Sequence, residues 1–89
     1  MAHVSFTPNI QRHVECPDAH APGETVREVL DNVFAHNPKA RGYVLDDQGA
    51  LRKHISVFVD KRLIRDRGRL SDPVGDSASV FVFQALSGG

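Results

Sequence analysis

The sequence predicts an α+β fold in which one main helix packs across one face of a mixed sheet of four to five strands. Three observations carry the prediction. A capping pair opens a segment whose apolar residues recur at helical spacing, residues 54–60 alternate apolar and polar, and residues 79–84 are apolar at every position except the two ends.

Residues 3–7 alternate apolar and polar, the period of a half-buried strand, and Pro8-Asn9 supplies turn chemistry after them. Residues 10–16 are then expected to return as the hairpin partner. Residues 16–23 hold two prolines and a glycine, so the ladder lacks backbone donors there and a loop is predicted. Thr25 and Glu28 form a T-x-x-E capping box, and Val26, Val29, Leu30, Val33 and Phe34 follow along one helical face. Pro38 is expected to end that helix. Between residues 39 and 49 the periodicity breaks up, with Tyr43-Val44-Leu45 as a core anchor and Asp46-Asp47-Gln48-Gly49 as a turn.

In the strand predicted over residues 54–60, Ile55, Val57 and Val59 share one face and Phe58 lies on the other. Asp60-Lys61-Arg62 turns the chain into a short partner at Leu63-Ile64. Residues 70–76 form an irregular connection, and the closing strand at residues 79–84 places Val80 and Val82 on one face and Phe81 and Phe83 on the other. Apolar residues on both faces suit a central strand. Hairpin, helix, strand, short strand, strand is the order of a ubiquitin-like β-grasp.

The chain has 89 residues, of which 40% are hydrophobic, enough for a single compact core. Eleven basic and eleven acidic residues cancel, which argues against a whole-chain grip on nucleic acid or an anionic membrane and makes proteins the expected partners. The single cysteine, Cys16, has no intramolecular disulfide partner, and Met1-Ala2-His3 lacks the start of a secretory signal, so a reducing cytoplasm is the expected location. The longest apolar run, residues 80–83, is far below the roughly 20 residues of a membrane span.

Four features make the chain resemble the MoaD/ThiS family of ubiquitin-like sulfur carriers over most of its length. They are the Val4-Ser5-Phe6 strand, the helix start at Thr25-Val26-Arg27-Glu28-Val29-Leu30, the Val57-Phe58-Val59-Asp60 strand, and a closing region with Leu70, Asp72-Pro73-Val74-Gly75-Asp76, Val80-Phe81-Val82-Phe83 and Gly88-Gly89. The last is the most specific, because the family has a Gly-Asp pair before its final strand and a Gly-Gly end. Two departures keep the branch open: Asp60-Lys61-Arg62 replaces a small Asn-Gly or Asp-Gly turn, and Gln84-Ala85 stands where the molybdopterin branch often has proline.

The resemblance implies a β-grasp domain over residues 1–86 and a flexible tail, Ser87-Gly88-Gly89, that threads a partner's active site. Gly89 would be adenylated by a ubiquitin-activating-type adenylyltransferase and then carry sulfur as a thiocarboxylate from a sulfur donor enzyme to a sulfur-accepting synthase. Molybdopterin, thiamin or cysteine formation, or a similar pathway, would be served. The chain itself would be a carrier and not an enzyme, with no bound cofactor; ATP would be used by the partner. Tail residues without side-chain bulk suit that role, since they gain little from packing and fit a narrow channel. Strand parity places Phe58, with either the phenylalanine or the valine pair of the closing strand, on the open sheet face. The phenylalanines are favoured, and Phe83 and Leu63, then Phe58 and Phe81, are the expected docking residues.

Other groups carry less. His3, His13, His20, His36 and His54 show no convergent spacing and read as solvent-exposed side chains, with no metal site expected. Cys16 has no nearby base pattern. The Lys61-Arg62, Arg65-Asp66-Arg67 and Arg69 stretch is locally basic and reads first as a solvated loop, and otherwise as a contact to phosphate or to an acidic partner surface. Asp46, Asp47, Asp72 and Asp76 offer no acid/base pair, and Gly75-Asp76 reads as a turn. Two further functions share the fold: a protein modifier conjugated through Gly89 to lysines, and a non-covalent interaction module whose tail is inert.

Overall fold

The computed structural model describes residues 1–84. Along the chain run β1 (Ala2–Phe6), α1 (Pro8–Gln11), β2 (Ala19–Ala21), α2 (Val26–Phe34), α3 (Pro38–Val44), β3 (Ile55–Val59), β4 (Arg62–Leu63) and β5 (Ser79–Gln84). The five strands form one mixed sheet in the order β2-β1-β5-β3-β4, with β1 and β5 parallel and the other pairs antiparallel. This is the ubiquitin-like β-grasp arrangement, with the helix-bearing connection covering one face of the sheet.

Period-two alternation does what it should in β1: Ala2, Val4 and Phe6 are buried, while His3 is exposed. The expected hairpin return at residues 10–16 is not there. Thr7 is extended, Pro8 occupies the first helical turn, and the Thr7 carbonyl accepts from the amides of Ile10 and Gln11, so the chain winds into the single turn α1 and buries Ile10. Proline is suited to that position because its φ matches the helix and its missing N–H has no partner there anyway. The partner of β1 is instead β2, inside the stretch expected to be loop. Its three residues pair as Ala2↔Ala21, His3↔His20 and Val4↔Ala19. Pro17 and Pro22 lie just outside this short edge ladder, where a missing donor costs no hydrogen bond.

The helix α2 starts as its cap predicts. The Glu28 amide donates to Thr25 Oγ1 at 3.2 Å, and the Glu24 amide donates to Glu28 Oε1 at 2.8 Å. Val26, Val29, Leu30 and Phe34 are buried and Val33 packs against the core. The helix ends by Ala35, but Pro38 does more than follow it: Asn37 Oδ1 accepts from the Ala40 amide and Pro38 opens a further helix, α3, which buries Ala40 and Val44. The 46–49 turn forms as expected, bracketed by a Leu45↔Leu51 bridge. There Gly49 sits at φ 81°, and the Arg27 guanidinium, which donates to its carbonyl, approaches too closely for a side chain to fit easily.

On the core side, Val4, Ile55, Val57, Val80 and Val82 have no exposed surface. β3 turns into β4 through Asp60 and Lys61, whose φ angles of 49° and 72° are those of a tight I′-type hairpin. Ile64, Leu70, Val74 and Ala78 anchor the connection to β5 in the core. Gly75-Asp76 lies in a turn that the Ala78 amide closes onto the Gly75 carbonyl.

Candidate functional site

The face of the sheet away from α2 is assembled by register. Phe81 on β5 stands opposite Phe58 on β3, Phe58 stands opposite Leu63 on β4, and Phe83 stands opposite Ser56. Since Val80, Val82 and Val57 fill the core, these alternate residues must point the other way. Phe58 and Phe83 meet edge to face at 6.2 Å between ring centres, and Phe81 lies 6.3 Å from Phe83 at a tilt, the geometries that aromatic quadrupoles prefer. Phe81 keeps 37% of its surface exposed and Leu63 57%. A shallow recess of about 420 Å³ is lined by Phe58, Lys61, Ser79, Phe81 and Phe83. The four expected docking residues thus form one contiguous apolar patch, and the phenylalanine pair, not the valine pair, is the open one.

The end of β5 is held by two side-chain hydrogen bonds. The Gln84 amide donates to Thr7 Oγ1 at 3.3 Å, and the Tyr43 hydroxyl donates to Gln84 Oε1 at 2.8 Å. These bonds join the last described residue to the N-cap residue of α1 and to α3, so the end of β5 is held by two further elements. Ser87, Gly88 and Gly89 lie outside the described residues.

Pairs that sequence spacing did not reveal appear through strand register and helix placement. His3 and His20 stack at 4.8 Å, with His3 Nε2 3.3 Å from Asp18 Oδ2, and His13 stacks on Tyr43 at 5.5 Å. No group of three or more potential metal ligands forms among the described residues. Cys16 is buried, and burial first, then the Asp18 charge, pushes its thiol above the ordinary value, which disfavours the nucleophilic thiolate. Asp66 is held down to about 2 by hydrogen bonds, first from the Ser71 hydroxyl and then from the Arg69, Ser71 and Gly68 amides. That carboxylate organises its own loop.

Two residues of the site were missed as members of it. Lys61, in a locally basic stretch, lines the aromatic recess, and Tyr43 packs against the core as expected and in addition holds the end of β5 through its hydroxyl. Register across strands was the signal needed, and it is not a local property of sequence.

The model of the ThiS family matches residues 11–89. A chain in the crystal structure of the Amycolatopsis orientalis BexX/CysO complex is similar at a TM-score of 0.82 and 24% identity, with both chains covered completely. CysO from Mycobacterium tuberculosis superposes at 0.79 with 21% identity, over 97% of this chain and 100% of that one. SAMP1 from Haloferax volcanii follows at 0.77 and 21%, over 99% and 98%. A search of curated protein sequences returns no match. No helix among the described residues is long and apolar enough to cross a membrane.

Proposed function

The chain belongs to the ThiS family, and from that premise we propose that it is a ubiquitin-like sulfur carrier acted on by partner enzymes. The Gly89 carboxylate attacks the α-phosphate of ATP in the active site of a ubiquitin-activating-type adenylyltransferase, releasing pyrophosphate and forming an acyl-adenylate. The terminal sulfur of a persulfide on a sulfur donor enzyme then displaces AMP to give an acyl disulfide, and a thiol attacks the donor-side sulfur, forming a disulfide with the donor and releasing a terminal thiocarboxylate that a sulfur-accepting synthase consumes. This chain supplies no catalytic group. It supplies a docking face and a slender tail, with five residues after Gln84 that reach at most about 17 Å. The proposed location is a reducing cytoplasm, consistent with a lone, buried Cys16.

The observation that carries the reading is the patch of Phe58 on β3, Leu63 on β4 and Phe81 and Phe83 on β5, the closing strand that precedes the glycine-rich end of the sequence. A partner seated there holds the tail root in a defined direction, which makes positioning of the terminal carboxylate a property of the docked complex.

The test is the intact mass of protein purified from its native host with thiols trapped by alkylation, beside a variant lacking Gly88-Gly89. Exchange of one oxygen for one sulfur is expected, and only in the full chain. A second reading sends the same activated tail to lysines, and the likeness to SAMP1, the small archaeal modifier protein 1 of Methanosarcina acetivorans among its solved forms, favours it. Gly-Gly remnants on lysines of other proteins, with no sulfur on the free carrier, would move the assignment to a modifier.

A further inference from the structure

Charge on this chain is divided unevenly although it sums to zero. Residues 51–72 hold seven Lys and Arg against three Asp, a net +4, and the remaining residues hold four against eight, a net −4. The three aspartates do little to neutralise their neighbours directly. Asp60 accepts from the Ser79 amide, Asp66 from three amides and the Ser71 hydroxyl, and Asp72 from the amides of Arg65 and Asp66. Among the described residues, no carboxylate lies in ion-pair range of any of the seven cations.

Two of these cations bracket the aromatic patch along β3. Lys61 lines the recess at the hairpin end, beside Phe58 and Phe81. Arg67 reaches the other end, where Nη1 donates to Ser56 Oγ at 3.4 Å and Nη2 to the Arg52 carbonyl at 2.9 Å. Ser56 pairs with Phe83, so Arg67 stands beside the tail root. Ser56 and Asp60 are four residues apart on an extended chain, about 13 Å.

We propose that the partner protein seated on this patch presents an apolar surface bracketed by carboxylates, one side meeting Lys61 and the other Arg67. This rests on the carrier reading above. The apolar centre supplies contact area, and the two charged ends steer the encounter and fix which way β5 points its tail. A continuous apolar patch between the cations favours a protein over a polyanion, whose phosphates would leave it uncovered.

The experiment is ATP–pyrophosphate exchange by the ubiquitin-activating-type enzyme of the same organism, with the full-length carrier varied at low and high salt. Lys61→Glu with Arg67→Glu is expected to raise KM about tenfold at low salt with kcat unchanged, and the gap should shrink at high salt. Lys39→Glu with Arg41→Glu on α3 changes net charge equally and is expected to leave KM near wild type. Because Arg67 also holds a backbone carbonyl, Lys61→Glu alone serves as the variant free of folding effects, with a KM rise of about threefold. Exchange that proceeds with equal KM changes in both double variants, or with none in Lys61→Glu, overturns the inference and leaves the carrier reading standing. Inhibition by added bulk tRNA that Lys61→Glu relieves would assign the cations to a polyanion and overturn it too. No exchange by the wild-type chain would overturn both readings.

Discussion

The two faces of β5 carry side chains of similar hydrophobicity under different cover. Val80 and Val82 are fully buried in the core, whereas Phe81 and Phe83, one residue out of step, lie on the opposite face, Phe81 exposed and Phe83 half-buried among the described residues. Apolar character therefore has two distinct consequences within one strand. On the covered face it supplies core and so stability. On the open face it leaves apolar surface in water, the surface proposed above for docking. The phenylalanines reduce their exposure meanwhile by packing against each other and Phe58.

The sharpest way to break this comparison is to truncate each face in turn. Ile55→Ala on the covered face should cost about 3 kcal/mol of stability in urea unfolding, through lost burial and the cavity left behind. Phe81→Ala on the open face should shift unfolding little while weakening docking by about 2 kcal/mol, roughly 30-fold, in a binding titration with the activating enzyme. Equal stability losses at the two sites would mean that the open face is core after all. Away from both faces, Thr25→Ala removes an acceptor at the start of α2 and should cost about 1 kcal/mol by the same unfolding assay.

The β3–β4 hairpin sharpens the comparison, because stability and docking should move oppositely there. Lys61 holds a left-handed conformation that glycine adopts without penalty, so Lys61→Gly should stabilise the fold by about 0.5 kcal/mol. The same change removes a cation from the recess and should raise KM in the exchange assay at low salt. The smallest effect concerns pH. The folded-state value of Asp66 is lowered from 3.8 to about 2, so its stabilising contribution is complete above about 4 and disappears as pH falls through about 2. Urea midpoints of wild type and Asp66→Asn should converge across that window, and a constant gap would show that ionisation of Asp66 is irrelevant to the loop.

Much of this was legible without coordinates. The T-x-x-E pair marked the start of α2, alternation marked β3, and unbroken hydrophobicity marked β5 as central, since each is a local pattern that local backbone geometry answers directly. The failures were also physical. Pro8 suggests a turn and Pro38 a helix end, yet at the first turn of a helix proline is tolerated, so neither α1 nor α3 is evident from the local pattern. The three residues of β2 are too short for a periodic signal, and their pairing with β1 depends on contacts formed some 17 residues away along the chain. Among the site residues, strand parity set Phe58 on the face opposite Val57 and paired Phe81 with Phe83 but left open whether they or the valines join Phe58, whereas Lys61 and Tyr43 joined the site only through neighbours far off in sequence.

By itself the sequence determined the helix start, the strand periods, the apolar closing strand and the glycine-rich ending, because those depend on residues within a turn or two of each other. Only the tertiary structure decided that the valines would be covered and the phenylalanines left open, that His3 would stack on His20, and that Lys61 and Arg67 would bracket the aromatic patch. Those outcomes depend on register and on which face of the sheet α2 crosses. One helix of nine residues covers one face, and parity alone cannot say which.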